Sequence, residues 1–140
     1  MVRTAFELDI TQFPMVVSVF PSVVHGPALA EHLERYQDAV LERDEPYVSI
    51  IDATELESML SAEARRIIIA ARKRGIERGI GRLHRGIALV TTSVLLRTAT
   101  SVVEWASPLP STWTTVPTRE AAFAWGYAQL ERRRDDGRWF

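Results

Sequence analysis

Two short runs, YVSIID at 47–52 and GIALVTT at 86–92, are apolar at neighbouring positions instead of alternate ones. Successive side chains of a strand point to opposite faces, so such runs leave no face for water. They read as strands buried on both sides, the pattern of a parallel sheet interior. Parallel strands need a crossover between them, and the intervening residues supply one. Ser61 suits a helix N-cap, Glu63 falls in the positive first turn, and Ile67, Ile68, Ala71 and Ile76 continue the helix. Gly75, Gly79 and Gly81 weaken that helix and help to stop it.

Upstream, AFELDI (5–10) alternates Phe6, Leu8 and Ile10 with Glu7 and Asp9, which marks a strand with one wet face. MVVSVF (15–20) follows the TQFP break, and two strands so close form an antiparallel hairpin. Pro27 opens a helix that runs to about Arg43 on Leu29, Leu33, Tyr36, Val40 and Leu41. Downstream, Ser93 caps an expected helix carrying Leu95, Leu96, Ala99, Val102 and Val103. TWTTV (112–116) is a short last strand, and Thr118 starts a final helix with Phe123, Trp125, Tyr127 and Leu130. From about residue 133 the chain reads as a frayed tail. The order β-β-α-β-α-β-α-β-α predicts an α/β fold, a mixed sheet of about five strands with helices packed on it. One domain over 1–140 is expected.

Composition removes several functions. The chain has no cysteine, which excludes disulfides, thiolate catalysis and Cys-based zinc sites. Seventeen basic residues face 18 acidic ones, so no global charge calls for nucleic acid or an anionic membrane. No stretch approaches the roughly 18 apolar residues of a membrane span, and a cytoplasmic protein without cofactor is expected.

Three stretches carry a family likeness: YVSIIDATEL, GIALVTTSVLLRTATSVV and the ending VPTREAAFAWGYAQL. With the element order, they resemble the STAS fold of anti-sigma-factor antagonists, and more closely its SpoIIAA-like branch, over about residues 5 to 132. In phosphorylated STAS switches a strand ends in Asp or Asn, and an Asp-Ser-Ser-Gly turn opens the next helix about eight residues later. Counted from Asp52, those places hold Leu60, Ser61, Ala62 and Glu63. The usual phosphoacceptor is thus Ala62, and the resemblance implies a fold of this type without the usual phospho-switch.

Individual residues suggest little chemistry. Ser61 reads as a helix cap, or else as a phosphorylation position displaced by one residue, with Arg65 and Arg66 one turn away. Asp52 ends a strand as a receiver-domain phosphoacceptor does, but the acidic pair and late lysine of a receiver are missing, and Lys73 is the only lysine. An Asx-type turn is the simpler role for Asp52. His25, His32 and His84 lie at no metal-ligand spacing, and His32 is assigned to an exposed helix face. No G-x-S-x-G elbow is present, and the glycines of RGIGRLHRG follow a helix instead of a strand. Trp125 is expected in the core, Trp113 on a short strand, Trp105 at a helix end and Trp139 in the tail.

Charge is unevenly spread. Arg65, Arg66, Arg72, Lys73, Arg74, Arg78, Arg82 and Arg85 are opposed only by Glu77, whereas residues 28–45 hold six acids against Arg35 and Arg43. The two segments are either solvated faces or complementary surfaces, within one chain or between protomers. The first expectation for function is a non-enzymatic regulatory or interaction domain. Its surface would comprise Asp52, Ser58, Ser61, Arg65 and Arg66 and would meet an acidic protein partner; a homodimer is expected, with neither nucleic acid nor membrane. A carrier of a small apolar or lipid-like ligand is the second expectation, and an unrecognised enzyme the third. An apolar pocket wider than one side chain, between helices and sheet, would favour the carrier.

Overall fold

The computed structural model describes residues 5–94 and 112–136, the last four by backbone alone. Strand β1 (Glu7–Asp9) pairs antiparallel with β2 (Met15–Val19), in register Glu7 with Val19 and Asp9 with Val17. Helix α1 (Gly26–Arg43) leads to β3 (Tyr47–Asp52), and α2 (Ala62–Glu77) leads through a short 3-10 turn at Ile80–Arg82 to β4 (His84–Val90). Strand β5 (Trp113–Val116) and helix α3 (Arg119–Asp136) complete the described elements. The sheet order is β1-β2-β3-β4-β5, with every pair after the first parallel. This is the expected mixed five-stranded sheet. The helix expected from Ser93 lies outside the described residues beyond 94, as do Trp105 and Trp139.

Strand parity divides the core. Met15, Val17, Val19, Val48, Ile50, Ala88 and Val90 form one cluster with Ala122 of α3, and Phe123, Trp125 and Leu130 pack against it. Their neighbours Val16 and Tyr47 pack with Val40 of α1, and Phe20 with Leu29 of α1 and Ile68 of α2. The β2–β3 and β3–β4 crossovers step the same way along the sheet, so a single handedness places α1 and α2 on one face, opposite α3.

In α3, Ala122, Gly126 and Gln129 turn toward the sheet and Tyr127 is 48% exposed; the helix runs to Asp136. Two expectations need correction. Strand β4 begins at His84, two residues before the apolar run, and both His84 and Arg85 are buried. His32 is the larger departure. It is 2% exposed, since it shares the Leu29–Tyr36–Val40 stripe of α1 at helical spacing.

Candidate functional site

Between the sheet and helices α1 and α2 lies a cavity of about 150 Å³. Its origin is visible in the strands. On the α3 face the middle of β2 and β3 carries Val17 and Ile50, whereas the α1–α2 face carries Ser18 and Ser49. The pairing Val16–Ser49 and Ser18–Ile51 makes these two serines diagonal neighbours on one face. Opposite them, α2 presents Ala71 and Gly75. Small side chains on both walls leave unfilled the space that Val or Leu would occupy.

Gly75 is small for a second reason. A Cβ there would lie 3.1 Å from the Gln37 amide nitrogen, so its absence lets the two helices close. Gln37 is buried; it donates from Nε2 to the Ala71 carbonyl at 2.6 Å and accepts from Arg78 at 3.2 Å. Outside it runs a ladder of ion pairs: Arg74–Glu34 at 2.9 Å, Arg78–Asp38 at 2.7 Å and Arg82–Asp44. The acidic and basic segments are therefore complementary faces of adjacent helices within one chain.

The lining is mainly apolar, with a few polar groups that converge. Tyr36 Oη lies 2.7 Å from Tyr47 Oη and 2.6 Å from Ser49 Oγ. Three hydroxyls bring three protons to two hydrogen bonds, which leaves one proton for another acceptor. His32 stacks on Phe6 at 4.8 Å, and neither of its ring nitrogens has a hydrogen-bond partner. Burial, aided by the charge of Arg35, lowers its pKa to about 4, so the ring is neutral at pH 7. Burial likewise raises the Tyr36 phenol, against the hydrogen bonds from Ser49 and Tyr47, and raises Tyr47 further. His84 joins this wall through an irregularity in β4. Tyr47 pairs with His84 but Ser49 with Ile87, so β4 carries one extra residue there. That shift brings His84 and Ile87 to the same cavity, with the His84 ring edge-on to Tyr47 at 5.5 Å.

Neither a family model nor a curated protein matches the chain. Among solved structures it is similar to an uncharacterized DUF3478-family protein with a SpoIIAA-like fold from Shewanella loihica PV-4. The TM-score is 0.61 at 20% identity, over 89% of this chain and 94% of that one. The chain has a SpoIIAA-like fold. The likeness at this identity concerns the fold alone.

Within the SpoIIAA-like fold the residues singled out by sequence fall into two environments. Ser61 is exposed, and its Oγ accepts from the Ala64 amide at 3.1 Å, the cap expected of it. Ser58, Arg65 and Arg66 are exposed around the same turn. Asp52 is buried instead. Its Oδ1 accepts from the Thr54 amide at 3.0 Å and hydroxyl at 2.7 Å, which is the expected turn, and Oδ2 accepts from Arg119 Nε at 2.7 Å. Burial alone would raise the Asp52 pKa; the bonds from Thr54 and Arg119 outweigh it and hold the carboxyl below its ordinary value. Sequence reasoning missed the cavity residues His32, Tyr36, Tyr47 and Ser49 as a group. The available signal was one serine at matching parity in each of two otherwise apolar strands.

Among the described residues, no helix is long and apolar enough to cross a membrane, and no cluster of His, Asp and Glu could hold a metal ion.

Proposed function

We propose that this protein is a non-enzymatic binding domain that holds a small, mainly apolar molecule between α1, α2 and the sheet. The observation that carries this reading is the cavity itself, about 150 Å³ and lined by apolar side chains around His32, Tyr36, Tyr47 and Ser49. An apolar cavity of that size in another protein accepts benzene, so a ligand of roughly six to ten heavy atoms is implied. The incompletely bonded polar groups would orient it. The pKa shifts support binding over catalysis. A general acid or base works best with a pKa near the operating pH, whereas His32, Tyr36 and Tyr47 are each pushed toward the neutral form.

Ser18→Leu tests the reading, because the larger side chain would occupy the cavity. Titration with indole, followed by protein NMR, should shift resonances of cavity residues in the natural protein and leave the folded variant unchanged. Equal binding to both, or none to either, would sink the proposal.

A second reading has its own observation. Val23 and Met59 are 51% and 40% exposed, on loops joined by the Glu57 amide to the Ser22 carbonyl at 3.0 Å. Beside Ser58, Ser61, Arg65 and Arg66 they offer an apolar and basic surface for an acidic protein partner. Charge reversal at Arg65 and Arg66 should slow association with such a partner while thermal stability stays nearly constant. Unchanged association kinetics would reduce this surface to a solvated face.

A further inference from the structure

The floor of the cavity is the face of the sheet, and two serine hydroxyls rise from it. Val17 and Val19 of β2 pack toward α3, so Ser18 between them points the opposite way, into the cavity. Its oxygen lies one bond beyond Cβ, and strand parity therefore fixes its place. Ser18 is 7% exposed and forms no side-chain hydrogen bond among the described residues. Its diagonal neighbour Ser49 ends the Tyr47–Tyr36–Ser49 cluster. A phenol is the more acidic hydroxyl and donates, so Tyr47 bonds to Tyr36, Tyr36 bonds to Ser49, and the spare proton rests on Ser49. We infer that the ligand is a neutral carbonyl compound whose oxygen accepts from both Ser18 and Ser49, with its apolar body against α1 and α2. This inference rests on the cavity reading above and adds the chemical class of the ligand.

Proton count, reach and charge select a carbonyl. The floor holds two protons without acceptors, and a carbonyl oxygen brings two lone pairs and no proton of its own. An alcohol would add a third proton to place. Diagonal strand neighbours lie roughly 7 Å apart at Cβ, and a hydrogen bond of about 2.8 Å from each hydroxyl lets one oxygen between them accept from both. Burial keeps Tyr36 and Tyr47 protonated, which preserves the donor chain. Among the described residues no aspartate, glutamate or lysine lines the cavity, and Arg72 is already engaged within the chain. A carboxylate or an ammonium group would therefore lose its water there without an opposite charge in return.

The test uses acetophenone, 1-phenylethanol, isopropylbenzene and benzoate, which share one skeleton and differ at a single group. Dissociation constants are measured by NMR titration of the full chain at pH 7. Acetophenone should bind about threefold or more tightly than 1-phenylethanol, and benzoate least tightly. Ser18→Ala breaks no bond within the chain. It should weaken acetophenone about three- to tenfold and leave isopropylbenzene within about twofold of its original value. Ser49→Ala should do the same, and Ser18→Ala alone decides if that second variant does not fold. The infrared carbonyl band of bound acetophenone is an independent readout, and it should move to higher wavenumber in Ser18→Ala as a hydrogen bond is lost. If Ser18→Ala weakens acetophenone no more than isopropylbenzene, or leaves the band in place, the carbonyl inference is overturned while the cavity reading stands. Tighter binding of 1-phenylethanol or benzoate than of acetophenone overturns it in the same way. If none of the four compounds binds, both fall together.

Discussion

Arg119, the first residue of α3, donates to the carboxylate of Asp52, the last residue of β3, at 2.7 Å. The bond fastens the helix on one face of the sheet to the end of a central strand. Asp52 is 8% exposed at the side chain and Arg119 43%, so the bond chiefly offsets the water lost by the buried carboxylate instead of adding a large net attraction. Asp52→Asn should cost about 1.5–3 kcal/mol, the range for a hydrogen bond to a charged group. The folded-state pKa lies below the ordinary 3.8, so this stability is present above that value and disappears as pH falls through the lower one. Urea denaturation from pH 6 to pH 2 should show the two proteins converging at the acid end. A constant difference across the range would contradict the assignment.

His32 gives a separate acid window. Its pKa falls from 6.5 to about 4 on folding, so the unfolded chain binds the proton more readily. Stability is full above 6.5 and should decline between 6.5 and about 4, by an amount on the order of 3 kcal/mol. His32→Leu removes that slope and leaves the Asp52 window in place. The variant should also be more stable than the natural protein near pH 5, because an unpartnered buried polar group is replaced by an apolar one. Denaturant midpoints against pH check both statements, and an unchanged slope in the leucine variant would refute them.

Gln37 and the ion ladder join the same two helices by different physics. Gln37→Ala removes a buried amide and leaves the half-buried Ala71 carbonyl without its side-chain donor, and should cost about 1–3 kcal/mol. Glu34→Ala breaks exposed pairs and should cost at most about 1 kcal/mol, less in 1 M salt. Thermal melts at two salt concentrations separate the cases. A larger loss from Glu34→Ala than from Gln37→Ala would show that surface charge, and not the buried amide, holds the helices together.

Ser61→Ala removes the acceptor for the Ala64 amide and should destabilise by about 0.5–2 kcal/mol. Ligand affinity should be unaffected, since Ser61 does not line the cavity. Calorimetric melting and an indole titration on the same sample test both halves. Lost binding at unchanged stability would give Ser61 a functional role.

The fold was legible because its signals are local. Consecutive apolar residues in YVSIID, the cap at Ser61 and the stop at Gly79, which adopts a positive φ of 88°, each act within a few residues. The candidate site was not legible in this way. His32 is polar by composition and buried by phase, and a stripe counted only in apolar letters passes over it. Ser18 and Ser49 look like ordinary strand residues until pairing sets them side by side. The charge bias of α1 and α2 was plain in the sequence, but choosing between solvated faces and mutual pairing required the handedness that sets the helices side by side.

The extra residue in β4 makes this strand sensitive to length as well as to composition. Gly86 lies beneath the Trp125 ring, where a Cβ would come within 2.9 Å of the indole. Deleting Arg85 would restore ordinary pairing, with His84 still opposite Tyr47 and glycine still under the indole. Deleting Gly86 would restore the same pairing but drive the Arg85 side chain into the tryptophan. Two neighbouring single-codon deletions, identical in their effect on strand length, should therefore part in soluble yield, and equal yields would show that the ring can move aside. Across descendants of such a gene, the position of a gap in this strand would record which layer of the sheet tolerated the change.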